Sequence, residues 1–300
     1  MVSPVTELPL PGTLSPSKIT AFTNCPLAFR FSVVERLPEP PSPAALKGTL
    51  VHRALELLFS ASPRGSRSRA AAQRALDTAW AELTAGVELG YLGLDEAETA
   101  AFLLDARLLV DRYLELEDPD DVNAVGLELN LSTDLDGVTV RGIIDRLDEL
   151  EDGNLAVVDY KTGRAPRSEQ SKSRLRGVQM YALMCEAELG RRPSVVRLLY
   201  LRDRLVISAT PTDQAMRGTR QRALGVWSAI ERACREDDFR PNPSSLCRFC
   251  AFQAYCPAFG GDPALAASQL GTAEPARPAS PAPDSPAFPT AAVGAESLSA

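Results

Sequence analysis

The feature that most constrains the fold is a series of short β-rich runs between residues 122 and 163. The runs are VGLELNLS, GVTVRGIIDRLDEL and LAVVDYKTG, and the segments DLDG and EDGN between them are typical of turns. This pattern predicts three strands in a meander. VQMYALMCEAEL then predicts a helix, SVVRLLYL another strand, and residues 212–236 a long helix. Strands followed by alternating helix and strand indicate an α/β core with a mixed central sheet flanked by helices.

The segments around this core have different compositions. Residues 1–12 are rich in proline and are predicted to be flexible, and Ser15 is a candidate N-cap for the helix that follows. KGTLVHRALELLF predicts a buried helix, and residues from about 60 to 120 predict a helical insertion because they are rich in Ala, Leu, Arg and Glu. Residues 262–300 consist mainly of Pro, Ala, Ser and Gly, which predicts a disordered tail.

Composition limits the class of protein. No run approaches the roughly 18–20 apolar residues of a membrane-spanning helix, and the N-terminus lacks signal-peptide features, so we expect a cytoplasmic protein without membrane contact. The net charge of −7 does not exclude a nucleic-acid partner. Residues 161–222 contain fourteen Lys and Arg against five Asp and Glu, a basic stretch suited to phosphates.

Asp159 and Lys161 are two residues apart in LAVVDYKTG, so on a β-strand both side chains leave the same face, while Tyr160 points the other way. Asp145 ends the preceding apolar run, and a hairpin through EDGN would bring the two carboxylates together. Converging carboxylates repel each other unless a divalent cation lies between them, and such oxygen ligands suit Mg²⁺ or Mn²⁺. The alternative is that both acids are ordinary strand-end residues and that Lys161 is solvated.

His52 is the single histidine of the chain. At helical spacing it shares a face with Leu55 and Phe59, so it should point inward. An inward histidine is more often a hydrogen-bonded core residue than a ligand, although a neutral imidazole nitrogen can bind a metal.

Four of the six cysteines suggest a second metal site. Cys247, Cys250 and Cys256 are closely spaced, and Cys25, also followed by proline, is the natural fourth ligand. Four thiolates suit either a [4Fe–4S] cluster or structural zinc. Cys185 and Cys234 lie in helical, apolar contexts and are expected to be buried.

The order of six motifs resembles the RecB-like exonuclease branch of the PD-(D/E)xK nuclease superfamily, including members whose cysteines bind a cluster. The motifs are LSPSKITAFTNCPLAFRF, GTLVHRALE, VRGIIDRLD, VVDYKTG, QMYAL and CRFCAFQAYCP. The resemblance runs from about residue 13 to 258. It implies a nuclease domain with a restriction-endonuclease-like fold, comprising the insertion, a catalytic core at about 121–236 and the cysteine-rich segment 247–256.

The resemblance also implies roles for individual residues. His52, Asp145 and Asp159 would ligate the catalytic metal, and Lys161 would be the catalytic lysine. Tyr181 would act near the substrate, and Glu128 matches a position where the family often carries glutamate. The four ligands of a [4Fe–4S] cluster would be Cys25, Cys247, Cys250 and Cys256.

The chain departs from the family pattern at one point. Family members usually carry a glutamine four residues before the helical tyrosine, where this chain has Gly177. Its glutamine is Gln179, and residues two apart do not share a helix face. Gln179 is therefore a weaker site candidate than Tyr181.

The resemblance implies a metal-dependent DNA nuclease, and we expect a single-strand exonuclease of DNA repair or recombination. Related proteins often work beside helicases, and this chain has no G-x-x-x-x-G-K-[ST] phosphate loop, so a helicase would be a separate polypeptide. The alternative is a catalytically silent protein that binds DNA or scaffolds a complex while keeping the fold and cluster. The displaced glutamine favours that alternative, and the intact set of His52, Asp145, Asp159 and Lys161 argues against it.

Overall fold

A five-stranded mixed sheet forms the centre of the computed structural model, which describes residues 7–40, 42–86, 93–165 and 168–270. The strands lie in chain order and are β1 (Ala124–Leu135), β2 (Val138–Glu149), β3 (Leu155–Lys161), β4 (Val195–Tyr200) and β5 (Leu205–Ala209). Only the β3–β4 pair is parallel, and helix α6 (Ser168–Leu189) connects these two strands, as parallel pairing requires. The predicted meander and mixed sheet are confirmed, and β5 is an additional short edge strand.

Helices cover both faces of this sheet. They are α1 (Pro16–Asn24), α2 (Pro26–Phe29), α3 (Pro43–Ala61), α4 (Arg69–Gly86), α5 (Glu96–Tyr113), α7 (Asp213–Glu236) and α8 (Ala264–Leu270), with a π-helical turn at Arg30–Val34 after α2. Ser15 caps α1 as predicted, because its side chain accepts a hydrogen bond from the Lys18 N–H. None of the described helices is long and apolar enough to cross a membrane.

Strand β3 is buried on both faces and separates two apolar cores. Val157 packs in the core that contains Leu14 of the N-terminal segment and Met184 of α6. Val158, its neighbour, packs in the second core with Leu55 of α3. The second core also contains residues of α4 and α5, which lie in the predicted helical insertion.

The N-terminal segment is closed by the last turn of α7 and by residues that follow this helix. The Leu8 N–H donates to the Cys234 carbonyl at 3.0 Å, and the Asn242 side-chain amide donates to the Asn24 carbonyl at 3.0 Å. Residues 7–12 are therefore anchored, contrary to the predicted flexible N-terminus, and residues 1–6 lie outside the described residues.

The predicted start of the disordered tail at residue 262 is also wrong. Helix α8 follows at Ala264–Leu270, and Ala266 is fully buried in the first core. The average composition of a segment does not show that one small side chain, here that of Ala266, fits a packed position. Residues 271–300 lie outside the described residues.

Candidate functional site

The candidate site lies where β2 and β3 separate. The two strands pair only from Glu149↔Leu155 to Arg146↔Val158, although β3 continues beside β4 as far as Lys161. Beyond this point the Tyr160 N–H, which a continuing ladder would bond to backbone, donates to Asp145 Oδ2 at 2.7 Å. The Asp145 carboxylate therefore lies in the gap between the strands.

A second irregularity brings Glu128 to the same place. Leu127 and Leu129 pack in opposite cores, although residues two apart in a regular strand share a face. Glu128 between them has a φ of 44°, in the left-handed region that non-glycine residues rarely adopt. Because Leu127 is opposite Arg146 and Leu129 opposite Ile144, Glu128 faces Asp145 across the hairpin. Strain of this kind is typical of functional sites.

His52 completes a group of three potential ligands. His52, Glu128 and Asp145 each offer one ligand atom, and these atoms lie within 4.8 Å of one another. His52 Nε2 is 3.1 Å from the Tyr160 carbonyl oxygen, to which it can donate, and this leaves Nδ1 3.5 Å from Asp145 Oδ1. Two ligand atoms at about 2.1 Å from one cation lie roughly 3 to 3.5 Å apart, so these two atoms fit a shared divalent cation.

Asp159 and Lys161 lie beside this group and form an ion pair with each other, which agrees with their predicted shared face. The Asp159 Oδ2 atom is buried and, apart from this ion pair, accepts no properly oriented hydrogen bond. Asp159 is not one of the three residues whose ligand atoms lie within 4.8 Å.

The pKa values show an excess of negative charge at this site. Burial raises the pKa of Asp159 to about 6, although the Lys161 ammonium opposes the shift, and the Asp145 carboxylate adds to it. Burial also raises the pKa of Glu128 to about 7, again with a contribution from Asp145. Burial opposes protonation of His52, but its hydrogen bond to Asp145 raises its pKa. A bound cation would relieve this repulsion.

Tyr181 of α6 lies over the opening between β2 and β3. A Cβ added to Gly142 of β2 would be 2.8 Å from Tyr181 Cε1, so the tyrosine ring needs a glycine beneath it. Burial raises the pKa of Tyr181 above its ordinary value, and the carboxylates of Asp159 and Asp145 raise it further. The Tyr181 hydroxyl therefore stays protonated at neutral pH and can donate a hydrogen bond as well as accept one.

The structure does not bring Gln179 to the site. Its side chain is buried, and its Oε1 accepts a 3.4 Å hydrogen bond from the Thr219 hydroxyl of α7. The Gln179 side chain is therefore directed toward α7, and its place in the site stays a prediction. Gly177, one turn before Tyr181, has no side chain to take its place.

Sequence reasoning ranked Glu128 below the other acids and missed the Tyr160 backbone, which binds both His52 and Asp145. One signal was available for Glu128: it is the only charged residue between Ala124 and Thr133. A lone acid in a half-buried apolar strand is costly and therefore suggests a function.

The four predicted cluster ligands line one cavity, which lies between α2 and the segment after α7. Burial raises the pKa of the Cys250 thiol, and the neighbouring thiols of Cys25, Cys247 and Cys256 raise it further. The Ser244 N–H donates to Cys247 Sγ at 3.3 Å. Cys185 and Cys234 are buried elsewhere, as predicted.

Within the described part of the basic stretch 161–222, part of the positive charge is neutralised by neighbouring acids. Several of its arginines form ion pairs with acids of other elements, namely Arg191 with Glu149, Arg192 with Asp213, Arg202 with Asp105, Arg204 with Glu115, and Arg220 with Asp136. Local charge along the chain therefore overestimated the number of cations that are available to phosphates.

The chain is similar in sequence to a known superfamily and to phage proteins. A sequence model of the PD-(D/E)XK nuclease superfamily matches residues 13–257. The Gene 69 protein of Mycobacterium phage L5 is 29% identical over 136 residues, which cover 44% of the chain and 44% of that protein. The Gene 69 protein of Mycobacterium phage D29 is 24% identical over 278 residues, which cover 85% of the chain and 100% of that protein.

A solved structure has a similar fold. The crystal structure of a presumed exonuclease from Eubacterium rectale superposes with a TM-score of 0.52 over 80% of the chain and 87% of that protein. Because the two sequences are only 12% identical, this similarity shows the fold alone.

Proposed function

The chain belongs to the PD-(D/E)XK nuclease superfamily, and from that premise we propose that it is a metal-dependent deoxyribonuclease of the RecB-like branch, acting as a single-strand exonuclease in DNA repair or recombination. The observation that carries this proposal is the group of three ligand atoms from His52, Glu128 and Asp145, with the buried Asp159 and Lys161 beside it. A catalytically silent relative would have no need of buried carboxylates that repel one another.

Mg²⁺ or Mn²⁺ would be held by His52, Asp145 and Asp159, and Glu128 is a fourth ligand candidate. Oxygen-rich donor sets with one imidazole suit these hard cations. When bound, such a cation polarises a phosphoryl oxygen and lowers the pKa of water. The Tyr160 carbonyl keeps His52 Nδ1 directed at Asp145, so the histidine is oriented before a cation arrives.

Two further side chains would act on the substrate. Lys161 ends β3 with about a third of its side chain exposed, where its ammonium would neutralise negative charge that develops on a phosphate. Tyr181, which stays protonated, would donate a hydrogen bond to a phosphate oxygen or orient the attacking water.

The assignment of DNA as the substrate rests on superfamily membership. The motif resemblance is the basis for the single-strand preference, the exonuclease action and the separate helicase partner. The presumed exonuclease from Eubacterium rectale shares the fold and is consistent with this assignment. The order of the six sequence motifs supports the RecB-like branch in particular.

We also propose a [4Fe–4S] cluster bound by Cys25, Cys247, Cys250 and Cys256. The four cysteines line one cavity, which supports a site with four thiolate ligands. The choice of a cluster rests on the motif resemblance, and structural zinc is the alternative.

The nuclease proposal is tested by incubating the anaerobically purified protein with Mg²⁺ or Mn²⁺ and 5′- or 3′-labelled single-stranded oligonucleotides. We expect metal-dependent degradation from one end, reduced by at least about 10²-fold in Lys161→Ala and in Asp159→Ala. Activity unchanged in both variants would contradict the proposed site. Salt-dependent DNA binding without cleavage of any substrate would select the silent scaffold.

The cluster proposal is tested by the colour and metal content of the same preparation. We expect a brown protein with absorbance near 400 nm and about four iron atoms per chain. Cys250→Ser should lose both, whereas Cys185→Ser, a matched buried cysteine outside the cavity, should keep both. A colourless protein containing one zinc per chain would reject the iron–sulphur assignment.

A further inference from the structure

The exposed face of the β1–β2 hairpin leads directly from the candidate metal centre to a group of unpaired cations. We propose that this face is the path along which a single strand of DNA lies as it enters or leaves the metal centre. This inference rests on the proposed function and adds the substrate path to it.

The path begins at the Glu128–Asp145 pair. The next cross-strand pairs on the exposed side are Asn130↔Ile143, Ser132↔Arg141 and Asp134↔Thr139. We call the exposed residues Asn130, Ser132, Arg141 and Ile143 the hairpin strip. The opposite face of the same strands is buried by residues such as Leu131 and Val140. At Glu128 and Asp145 both strands change the side on which their residues are buried. The hairpin strip therefore ends at this pair of acids.

Three cations gather at the far part of the hairpin strip. The segment before α1 lies along the free edge of β2, where the Arg141 N–H donates to the Leu14 carbonyl at 2.8 Å. Lys18 is held at this edge because its ammonium donates to the Thr13 carbonyl at 2.7 Å. Arg36, exposed after the π-helical turn, adopts a φ of 55°. We call Lys18, Arg36 and Arg141 the basic group.

The basic group has no acidic partner. None of its three cations forms an ion pair with an acid in the described part of the chain, in contrast to the five paired arginines of the basic stretch. Burial lowers the pKa of Lys18, and the charges of Arg36 and Arg141 lower it further, so the three side chains repel one another. An anion placed between them would remove this repulsion. The path ends at the hairpin turn, where Asp134 and Asp136 carry negative charge.

The dimensions and chemistry fit a nucleic-acid strand. Arg141 is four residues from Asp145, about 13 Å along a strand, which corresponds to two to four nucleotides. Ile143 lies between them and is 45% exposed, which is unusual for an isoleucine next to a charged site. An apolar side chain flanked by phosphate-binding cations and a metal centre is suited to contact a base or a deoxyribose.

The experiment measures binding of the full chain to a fluorescent single-stranded oligodeoxynucleotide in EDTA, where cleavage does not occur. We expect Arg36→Gly and Arg141→Thr each to raise the Kd about fivefold at 0.1 M salt and to reduce the salt-dependence slope by about 0.7. Arg36→Gly should fold at least as well as the wild type, because glycine is favoured at that positive φ. Ile143→Asp should also raise the Kd for the single strand.

The matched control is Arg74→Ala, which removes an exposed arginine of α4 that has no ion pair among the described residues. Its Kd should equal that of the wild type. If the wild type binds and cleaves DNA but Arg36→Gly and Arg141→Thr both keep the wild-type Kd and slope, the path is rejected while the nuclease assignment stands. Equal weakening of single-stranded and duplex binding would also reject a single-strand path. A wild type that neither binds nor cleaves DNA would reject both proposals.

Discussion

Two buried charged groups lie on opposite sides of the β2–β3 junction, and they differ in how completely their charges are satisfied. In the first, the fully buried Arg146 binds both oxygens of Asp148 at 2.8 and 3.0 Å, and it also donates to Glu117 at 2.5 Å and to the Tyr160 hydroxyl at 2.8 Å. Its guanidinium lies 4.7 Å from the centroid of the Phe59 ring. We call this the arginine group.

The second is the carboxylate group, formed by His52, Glu128, Asp145, Asp159 and Lys161. Here burial leaves Asp159 with a pKa of about 6 and Glu128 with one of about 7, and Asp159 Oδ2 lacks an oriented hydrogen bond. The arginine group is complete without a ligand, whereas the carboxylate group is not. Burial of charge alone therefore does not identify a functional site, but burial without enough partners does.

The largest expected effect concerns the arginine group. Arg146→Met should lower the free energy of unfolding by about 3–5 kcal/mol, because it leaves the buried Asp148 and Glu117 without their cation. Urea denaturation of the metal-free protein measures this loss. The double variant Arg146→Met/Asp148→Leu should recover part of it, and an unchanged free energy in Arg146→Met would show that the group is not structural.

Metal binding should give the next largest effect, and only through the carboxylate group. At 100 times its Kd, Mn²⁺ should stabilise the wild type by about 2.7 kcal/mol, measured as a shift in the thermal midpoint. Asp145→Asn should lose most of this shift. Glu117→Gln, which alters an acid of the arginine group, should keep it. A shift of equal size in Asp145→Asn would place the cation elsewhere.

A smaller effect should appear in the pH dependence of the metal-free protein. The pKa of Asp159 is raised from 3.8 to about 6, so the folded state holds this proton more tightly than the unfolded state. Stability from this group is therefore highest below pH 4 and falls as the pH rises to 6. In EDTA at pH 8, Asp159→Asn should be more stable than the wild type by roughly 2 kcal/mol, and the difference should vanish near pH 4. A variant that is less stable at pH 8 would contradict the charge imbalance.

The smallest effect tests whether the two groups are independent. Tyr160 belongs to both, because its hydroxyl accepts from Arg146 while its backbone binds His52 and Asp145. Tyr160→Phe should cost about 1 kcal/mol of stability through the lost hydrogen bond and leave the Mn²⁺ affinity unchanged. Calorimetric titration measures that affinity, and a tenfold loss would show that the arginine group orients the metal ligands.

Much of the fold was predictable because it follows simple periodicities. The meander, β4 and the helix at residues 213–236 came from alternating or helical apolar patterns, and the convergence of Asp145 with Asp159 came from a hairpin turn. The shared face of Asp159 and Lys161 follows directly from the period of a strand.

The rest depended on departures from periodicity. A regular strand would direct Leu127 and Leu129 to one core, so no alternation rule predicts the left-handed backbone of Glu128 or its approach to His52. The gap between β2 and β3 depends on the pairing of β3 with β4, a contact between segments that are distant in sequence. Which arginines remain unpaired is likewise decided by elements distant in sequence, such as Asp105 beside Arg202.

The closure of the N-terminal segment by residues after α7 has a consequence for synthesis of the chain. Asn24 and its partner Asn242 are 218 residues apart, so a ribosome adding 5–20 residues per second separates them by an interval on the order of 10–40 s. Throughout that interval Leu27 and Phe29, both buried in the finished fold, have no cover from the late segment. The nascent chain is therefore exposed to aggregation at its first helices, and slower, cooler expression with chaperones present should raise the soluble yield.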